Sequence, residues 1–248
     1  MINKSTIKYI QSLQHKKFRD EHGAFIAEGP KVVLELLQYN IFECEFIYCN
    51  VSGFNSLSEK IKNKYADKII EVADFELEKI SALNTANNLL GVFKKKPALN
   101  STNISNKITL FLDDIQDPGN LGTMIRTADW FGLETIFCSS ATADCYNPKV
   151  VQSTMASLGR VNIFYGNIVE ELQKHKNIQK YAAVLAGKEL QSFGKIKEGI
   201  LVIGNESKGI SAGVMKFVDE KITIPRFGKA ESLNAAVATG IVLYSITN

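Results

Sequence analysis

Three stretches in the second half of the 248-residue chain hold the residue types from which a ligand site is made. They read DDIQDPGNLGTMIR at 113–126, IGNESKGI at 203–210 and ITIPRFGKAESLN at 222–234. Each lies at the end of an apolar run and is rich in Gly, Asn, Ser or Glu. Glycine lets a backbone come close to a ligand, and amide and hydroxyl groups supply donors and acceptors. Arg126 stands out because only four of the 29 basic residues are arginines. A guanidinium offers a planar fork that matches phosphate, where a lysine would serve for solubility alone; the structural alternative is a helix-surface ion pair with Asp129. The glycines also exclude. None of the 17 is spaced Gly-x-Gly, so the dinucleotide fingerprint is missing. Gly204 and Gly209 have phosphate-loop spacing, but Ile210 stands where the lysine belongs.

The elements around these loops indicate an α/β protein. Apolar runs bounded by turn residues, such as ITLFLDDI and GILVIGN, read as buried parallel strands. TIFCS, NIFYG, YAAVLA and KITIP read as further strands, with helical segments between most of them. Such sheets present ligand sites in the loops at the carboxyl ends of their strands. The first region alternates helix and strand: helix 4–20, strand 24–28, helix 30–39 with Pro30 at its start, strand 44–49, helix 56–66, strand 68–72, helix 74–82 and strand 89–95. The expected division is a smaller N-terminal α/β domain at 1–96, a Pro- and Asn-rich linker at 97–106 and a second domain at 107–248. The final helix, from Ser232, is apolar on nearly all sides after Asn234, which predicts burial in a core, a knot or a subunit interface.

Composition bounds the rest. Hydrophobic residues make up 45%, and no apolar run reaches the ~18–20 residues of a membrane span. The start lacks a signal-peptide core, so a cytoplasmic location and no membrane partner are expected. Cys44, Cys49, Cys138 and Cys145 form no Cys-x-x-Cys pair, and with three histidines no zinc spacing appears, so no metal is expected. The net charge of +3 is modest. Lys4, Lys8, Lys16, Lys17 and Arg19, with no acid among residues 1–19, would suit a phosphate backbone or be a solvated helix face.

The three loops, taken together and in order, resemble the motifs of the SpoU (TrmH) family of RNA ribose 2′-O-methyltransferases. The first is carried by Asn120, Gly122 and Arg126, the second by Gly204, Asn205, Glu206 and Gly209, and the third by Ile224, Pro225, Gly228, Ser232, Leu233 and Asn234. The resemblance covers 107–248; FIAEGPKVVLELL in the first region resembles the family's ribosomal-protein-like substrate-binding domain. Arg226, where the family has an apolar residue, and Ala235 and Ala236, in place of Val-Ser, depart from the pattern.

The resemblance implies a catalytic domain with a deep trefoil knot, a homodimer formed through the knot region, and S-adenosylmethionine as cofactor. It implies cofactor contacts from Ile203, Gly204, Ile224, Ser232 and Leu233. Arg126, Asn120, Glu206, Ser232 and Asn234 carry the implied catalytic roles. Arg126 would grip a phosphate and polarise the 2′-hydroxyl, because a group with pKa above ~12 is a poor literal base. Asn120 would order the first loop or cap its helix, and Glu206 would orient Arg126 or Asn120 or cap a junction. Ser232 and Asn234 would cap the last helix and donate to RNA or cofactor. The expected substrate is structured RNA, ribosomal RNA first and transfer RNA second. The alternatives are an RNA-binding protein with a vestigial cofactor pocket and a base methyltransferase of the wider knotted superfamily.

Overall fold

The computed structural model describes residues 2–97 and 104–248; of the expected linker at 97–106, positions 98–103 lie outside the described residues. In chain order the helices are α1 (Lys4–Ser12), α2 (Lys16–His22), α3 (Pro30–Gln38), α4 (Val51–Ser56), α5 (Glu59–Lys64), α6 (Asp74–Ile80), α7 (Pro118–Trp130), α8 (Pro148–Thr154), α9 (Ile168–Lys174), α10 (Ala212–Met215) and α11 (Ala235–Thr247). The strands are β1 (Ala24–Glu28), β2 (Cys44–Cys49), β3 (Ile69–Glu71), β4 (Leu89–Lys94), β5 (Ile108–Asp113), β6 (Thr135–Ser139), β7 (Asn162–Gly166), β8 (Lys180–Glu189), β9 (Gly199–Gly204) and β10 (Glu220–Thr223). They form two compact units: Met1–Pro97 together with Asp144–Gly159, and Ala98–Ala143 together with Arg160–Asn248. The sequence reading ran the second region unbroken from 107 and did not separate 144–159 from it.

The first unit holds a mixed four-stranded sheet of order β1-β4-β2-β3. β4 pairs antiparallel with both β1 and β2, and β2 pairs parallel with β3. The single helix expected at 4–20 is two. α1 stops at Ser12, and α2 begins after His15 in extended conformation. The carbonyls freed at Leu13 and Gln14 each accept from the Arg19 guanidinium at 2.9 Å. The other side of the fork donates to Asp144 Oδ2 at 3.0 and 2.6 Å. Arg19 is 1% exposed, so it is withdrawn from the cationic face expected of residues 1–19. Lys16 pairs with Asp20 at 2.6 Å, and the Lys17 ammonium lies over the Phe18 ring. The four cysteines are free and buried, and burial pushes the Cys44 thiol up to about 12 and the Cys49 thiol to about 11.

The second unit is built on a parallel six-stranded sheet of order β10-β8-β9-β5-β6-β7. The central strands β5 and β9 are the two continuous apolar runs, which is why they take the positions covered on both faces. Pairing of β10 with β8 is interrupted: Lys221 faces Ala182, while Ile222 faces Lys188. Residues 183–187 therefore arch out of register. Gly187 permits the re-entry, because a Cβ there would meet the Lys221 carbonyl at 2.5 Å. α11 packs on α7, β8 and β9. It buries Ala236, Thr239, Val242, Leu243 and Ile246 but leaves Val237, Ile241 and Tyr244 exposed along one stripe. The core of this chain thus covers only part of the helix that its composition reads as buried in a core, a knot or a subunit interface. No helix among the described residues is long and apolar enough to cross a membrane.

Removing one partner of a buried, hydrogen-bonded ion pair costs about 3–5 kcal/mol. Arg19→Ala is expected to lower unfolding free energy by that order in urea denaturation, and a loss below about 1 kcal/mol would show that the α1–α2 break needs no guanidinium.

Candidate functional site

The three loops singled out above sit at the carboxyl ends of β5, β9 and β10. β5 ends at Asp113, whose Oδ2 accepts from the Ser211 amide at 2.7 Å. Asp114 turns the chain with φ of +61°, a conformation open to Asp through its short polar side chain. Its carbonyl accepts from Asn205 Nδ2 at 2.8 Å, so the loops after β5 and β9 are tied together. Asn205 Oδ1 in turn accepts from the Ser207 and Lys208 amides at 2.9 and 3.0 Å, and its backbone pairs in both directions with Gly209. Gly209 has φ of +68°, where a side chain is strained. Gly204 packs against this return: an added Cβ would overlap the Gly209 carbonyl carbon and the Ile210 nitrogen.

Asn120 joins all three loops. Its Nδ2 donates to Glu206 Oε1 at 2.6 Å, and its Oδ1 accepts from Asn234 Nδ2 at 2.9 Å. Asn120 does not cap α7. Asp117 does, accepting from the Asn120 amide at 2.7 Å, with Pro118 in the first turn. That leaves the Asn120 side chain available for Glu206 and Asn234. Asn234 caps α11, its Oδ1 accepting from the Ala236 and Val237 amides at 2.9 and 3.2 Å. Ser232 lies before that cap on an exposed stretch and does not open the helix, so the expected double cap is a single one. Glu206 caps no helix; its carboxylate serves Asn120.

Beside this bridge lies a cavity of about 620 Å³, within the range of small-ligand sites. Ile203, Gly204, Ile224, Ser232 and Leu233, the five residues assigned to cofactor contact, all line it, and so does Glu206. Asn120 and Asn234 are not among the lining residues. Arg126 does not line the cavity in this chain. It is exposed on α7 with no hydrogen bond or ion pair among the described residues, while Asp129 pairs with Arg160 at 2.8 Å. The aliphatic wall is Val184, Ile203, Ile222, Ile224 and Leu233.

Sequence reading missed Ala183, Val184 and Leu185, which reach the cavity only because of the arch in β8. YAAVLA reads as an ordinary strand, and Gly187 within the next few residues was the available signal. It also missed Lys208 and Phe227, which line the cavity from loops already marked. No cluster of three or more metal-ligating side chains occurs among the described residues.

An adenosyl ligand carries a flat apolar base, a ribose rich in hydrogen-bonding groups and a charged tail. The cavity answers with an aliphatic wall, a backbone bared at Gly204 and the hydroxyl of Ser232.

Residues 107–244 match the SpoU rRNA Methylase family, and residues 4–91 match the MRM3-like substrate binding domain. The 23S rRNA (guanosine(2553)-2′-O)-methyltransferase of Bacillus subtilis is 38% identical over 141 residues. That match covers 55% of this chain and 56% of the relative, so the chain aligns with about half of that relative's length. A tRNA/rRNA methyltransferase of Borreliella burgdorferi, itself uncharacterised, is 30% identical over 77% of this chain and 83% of its own. Among solved structures, the AdoMet-bound rRNA methyltransferase from Sinorhizobium meliloti superposes with a TM-score of 0.86 at 28% identity, covering 99% of this chain and 95% of that one. A TrmH-family protein from Porphyromonas gingivalis gives 0.87 at 34% identity, covering 100% and 98%.

Overpacking a tight backbone contact costs about 1–3 kcal/mol. Gly204→Ala is expected to cost that much in thermal or urea unfolding and to speed amide hydrogen exchange across 205–210. Unchanged exchange there would show that the loop does not depend on the bare backbone at 204.

Proposed function

We infer, for a chain that belongs to the SpoU rRNA Methylase family, that it transfers the methyl group of S-adenosylmethionine to a ribose 2′-hydroxyl of structured RNA. The observation that carries this reading is the cavity walled by Ile203, Gly204, Ile224, Ser232 and Leu233 and buttressed by the Glu206–Asn120–Asn234 bridge. When bound, S-adenosylmethionine supplies a methyl on a sulfonium, already a good leaving centre, so the protein's work is alignment. Ile203, Ile224 and Leu233 would hold the apolar base, and Ser232 would hydrogen-bond the polar part. Placing the hydroxyl in line is a proximity effect worth up to ~7–11 kcal/mol.

Arg126 supplies the charge. Its guanidinium holds the phosphate of the target nucleotide and polarises the hydroxyl; it stays protonated throughout, given a pKa above ~12. Because Arg126 does not line its own chain's cavity, the reading includes a homodimer. The exposed stripe Val237, Ile241 and Tyr244 on α11, with α7 packed beside it, is the face for that dimer. Trp130 on α7 is 83% exposed and Tyr244 66%, more apolar surface than a lone chain needs to show. Arg126 shares α7 with Trp130, four residues apart and on one side of the helix, and is delivered by one protomer to its partner's cavity. The C-terminal segment is knotted in this reading, and the packing of α11 on α7, β8 and β9 after the edge strand β10 is compatible with it. Residues 1–96 select the RNA, in keeping with the substrate-binding family matched there. Ribosomal RNA is the favoured class, since the Bacillus subtilis relative is named for 23S rRNA. Transfer RNA is second, on the name of an Aquifex aeolicus relative 31% identical over 145 residues.

The test is label transfer from S-adenosylmethionine to unmodified 23S rRNA and tRNA transcripts, followed by nucleoside analysis. A 2′-O-methylated nucleoside is expected, and a methylated base or no product from either RNA overturns the reading. Arg126→Ala should lower turnover by about 10²–10³-fold, the scale for removing one transition-state donor. Mixing Arg126→Ala with a Gly204→Val chain should recover part of the activity through mixed dimers; no recovery means that Arg126 acts on its own protomer's cavity.

A further inference from the structure

Resting on the reaction just inferred, the structure carries a second binding function at the mouth of the same cavity. Transfer to a 2′-hydroxyl requires a ribose at the methyl group. That ribose arrives with a base on one side and phosphates on the other, and a base stacked in a duplex could not follow its sugar into a cavity. The base must be splayed out, and unstacked RNA bases are received on aromatic faces and guanidinium planes.

Among the described residues lining the cavity, Phe227 is the one aromatic side chain. It is 95% exposed, so it contributes nothing to the core. Gly228 follows it, and a Cβ built there meets no atom within 4 Å, which leaves open space on that side. Arg226 precedes Phe227 and Lys229 follows two residues on, and Arg226 and Lys208 line the cavity, Lys208 from the loop after β9. Arg226 closes its own turn through one nitrogen, which donates to the Ala230 carbonyl at 3.3 Å, and its other donors have no partner among the described residues. Of the two acids lining the cavity, Glu206 is engaged by Asn120 and Glu231 stands on the same loop as Phe227.

We propose that Phe227 is the stacking platform for the splayed base of the methylated nucleotide, and that Arg226 and Lys229 hold backbone phosphates of the neighbouring nucleotides, leaving the target's own phosphate to Arg126. The loop 226–234 thus faces two ways: Ser232 and Leu233 toward the cofactor, and Arg226, Phe227 and Lys229 toward RNA.

The test measures binding of an unmodified 23S rRNA transcript and a tRNA transcript by the full-length protein with S-adenosylhomocysteine present. Phe227→Ala should weaken binding of the preferred transcript by about 5- to 150-fold, the range for one lost base–aromatic stack. Phe227→Trp should restore it. Arg226→Gln and Lys229→Gln should each flatten the dependence of log affinity on log salt by about 0.7–0.9, one phosphate contact apiece, while Phe227→Ala leaves that slope unchanged. Calorimetry with S-adenosylhomocysteine and sedimentation of the same variants complete the experiment. RNA affinity unchanged in Phe227→Ala overturns the proposal. So does a loss confined to cofactor affinity, which would make Phe227 a cover for the cofactor, and so does dissociation to monomers, which would make it a subunit contact. Wild-type protein that methylates RNA while Phe227→Ala binds RNA as well as wild type leaves the reaction standing and removes only this platform. Wild-type protein that binds neither transcript removes both.

Discussion

The carboxamide of Asn120 is the point at which the three loops of the second unit are tied together. It is the right group for the place because an amide donates and accepts at once: the nitrogen goes to Glu206 and the oxygen receives Asn234. An aspartate there would repel Glu206, and an alanine would remove the bond to Glu206 and the one from the Asn234 nitrogen, leaving Asn234 only its cap on α11. Through this one side chain the loops after β5 and β9 and the start of α11 are held in register, although they lie 86 and 114 residues away along the chain. The bond to Glu206 is charge-assisted, which makes it short and strong for a surface contact.

Around that bridge the parallel sheet does what such sheets do. Strands buried on both faces send their loops to one end, and the site forms where the loops meet. Two local departures from regularity shape the cavity. The positive φ of Asp114 and Gly209 folds the loops back on themselves, so that Gly204 can press against the return. The arch at 183–187 turns an inner strand into a wall, with Thr223 Oγ1 donating to the Val184 carbonyl to keep the arch in place. On the β5 and β9 side the cavity wall is fixed by these backbone contacts, and preorganisation of that kind favours affinity.

The first unit follows a different logic. Its helices are short, and their ends depend on particular partners: Arg19 for the break between α1 and α2, and Glu28 for the Ser81 hydroxyl and Ala82 amide. Burial raises the Glu28 carboxyl above its ordinary value, and those two donors oppose the shift. A charge buried in this way is tolerable only when its hydrogen-bonding capacity is met. This is why a region that reads as cationic at its start presents fewer free cations than its composition implies.

What the sequence by itself determined is whatever repeats at short range. Central strands announce themselves by continuous apolar residues, and ITLFLD and GILVIG take the two central sheet positions. The clustering of Gly, Asn and Ser next to strand ends marked the three loops, and their resemblance to the SpoU motifs singled out five positions that line the cavity, Ile203, Gly204, Ile224, Ser232 and Leu233. Only the tertiary structure decided the rest. The single helix read at 4–20 breaks because a guanidinium meets Asp144 from 125 residues away, and no local pattern encodes a partner at that distance. Ala183–Leu185 enter the cavity because β10 skips five residues of β8, and a strand's register belongs to the pair of strands, not to either one. Arg126 carries the same lesson: its residue type was readable, but whether it stands inside or outside its own cavity depends on which way α7 faces once packed against α11.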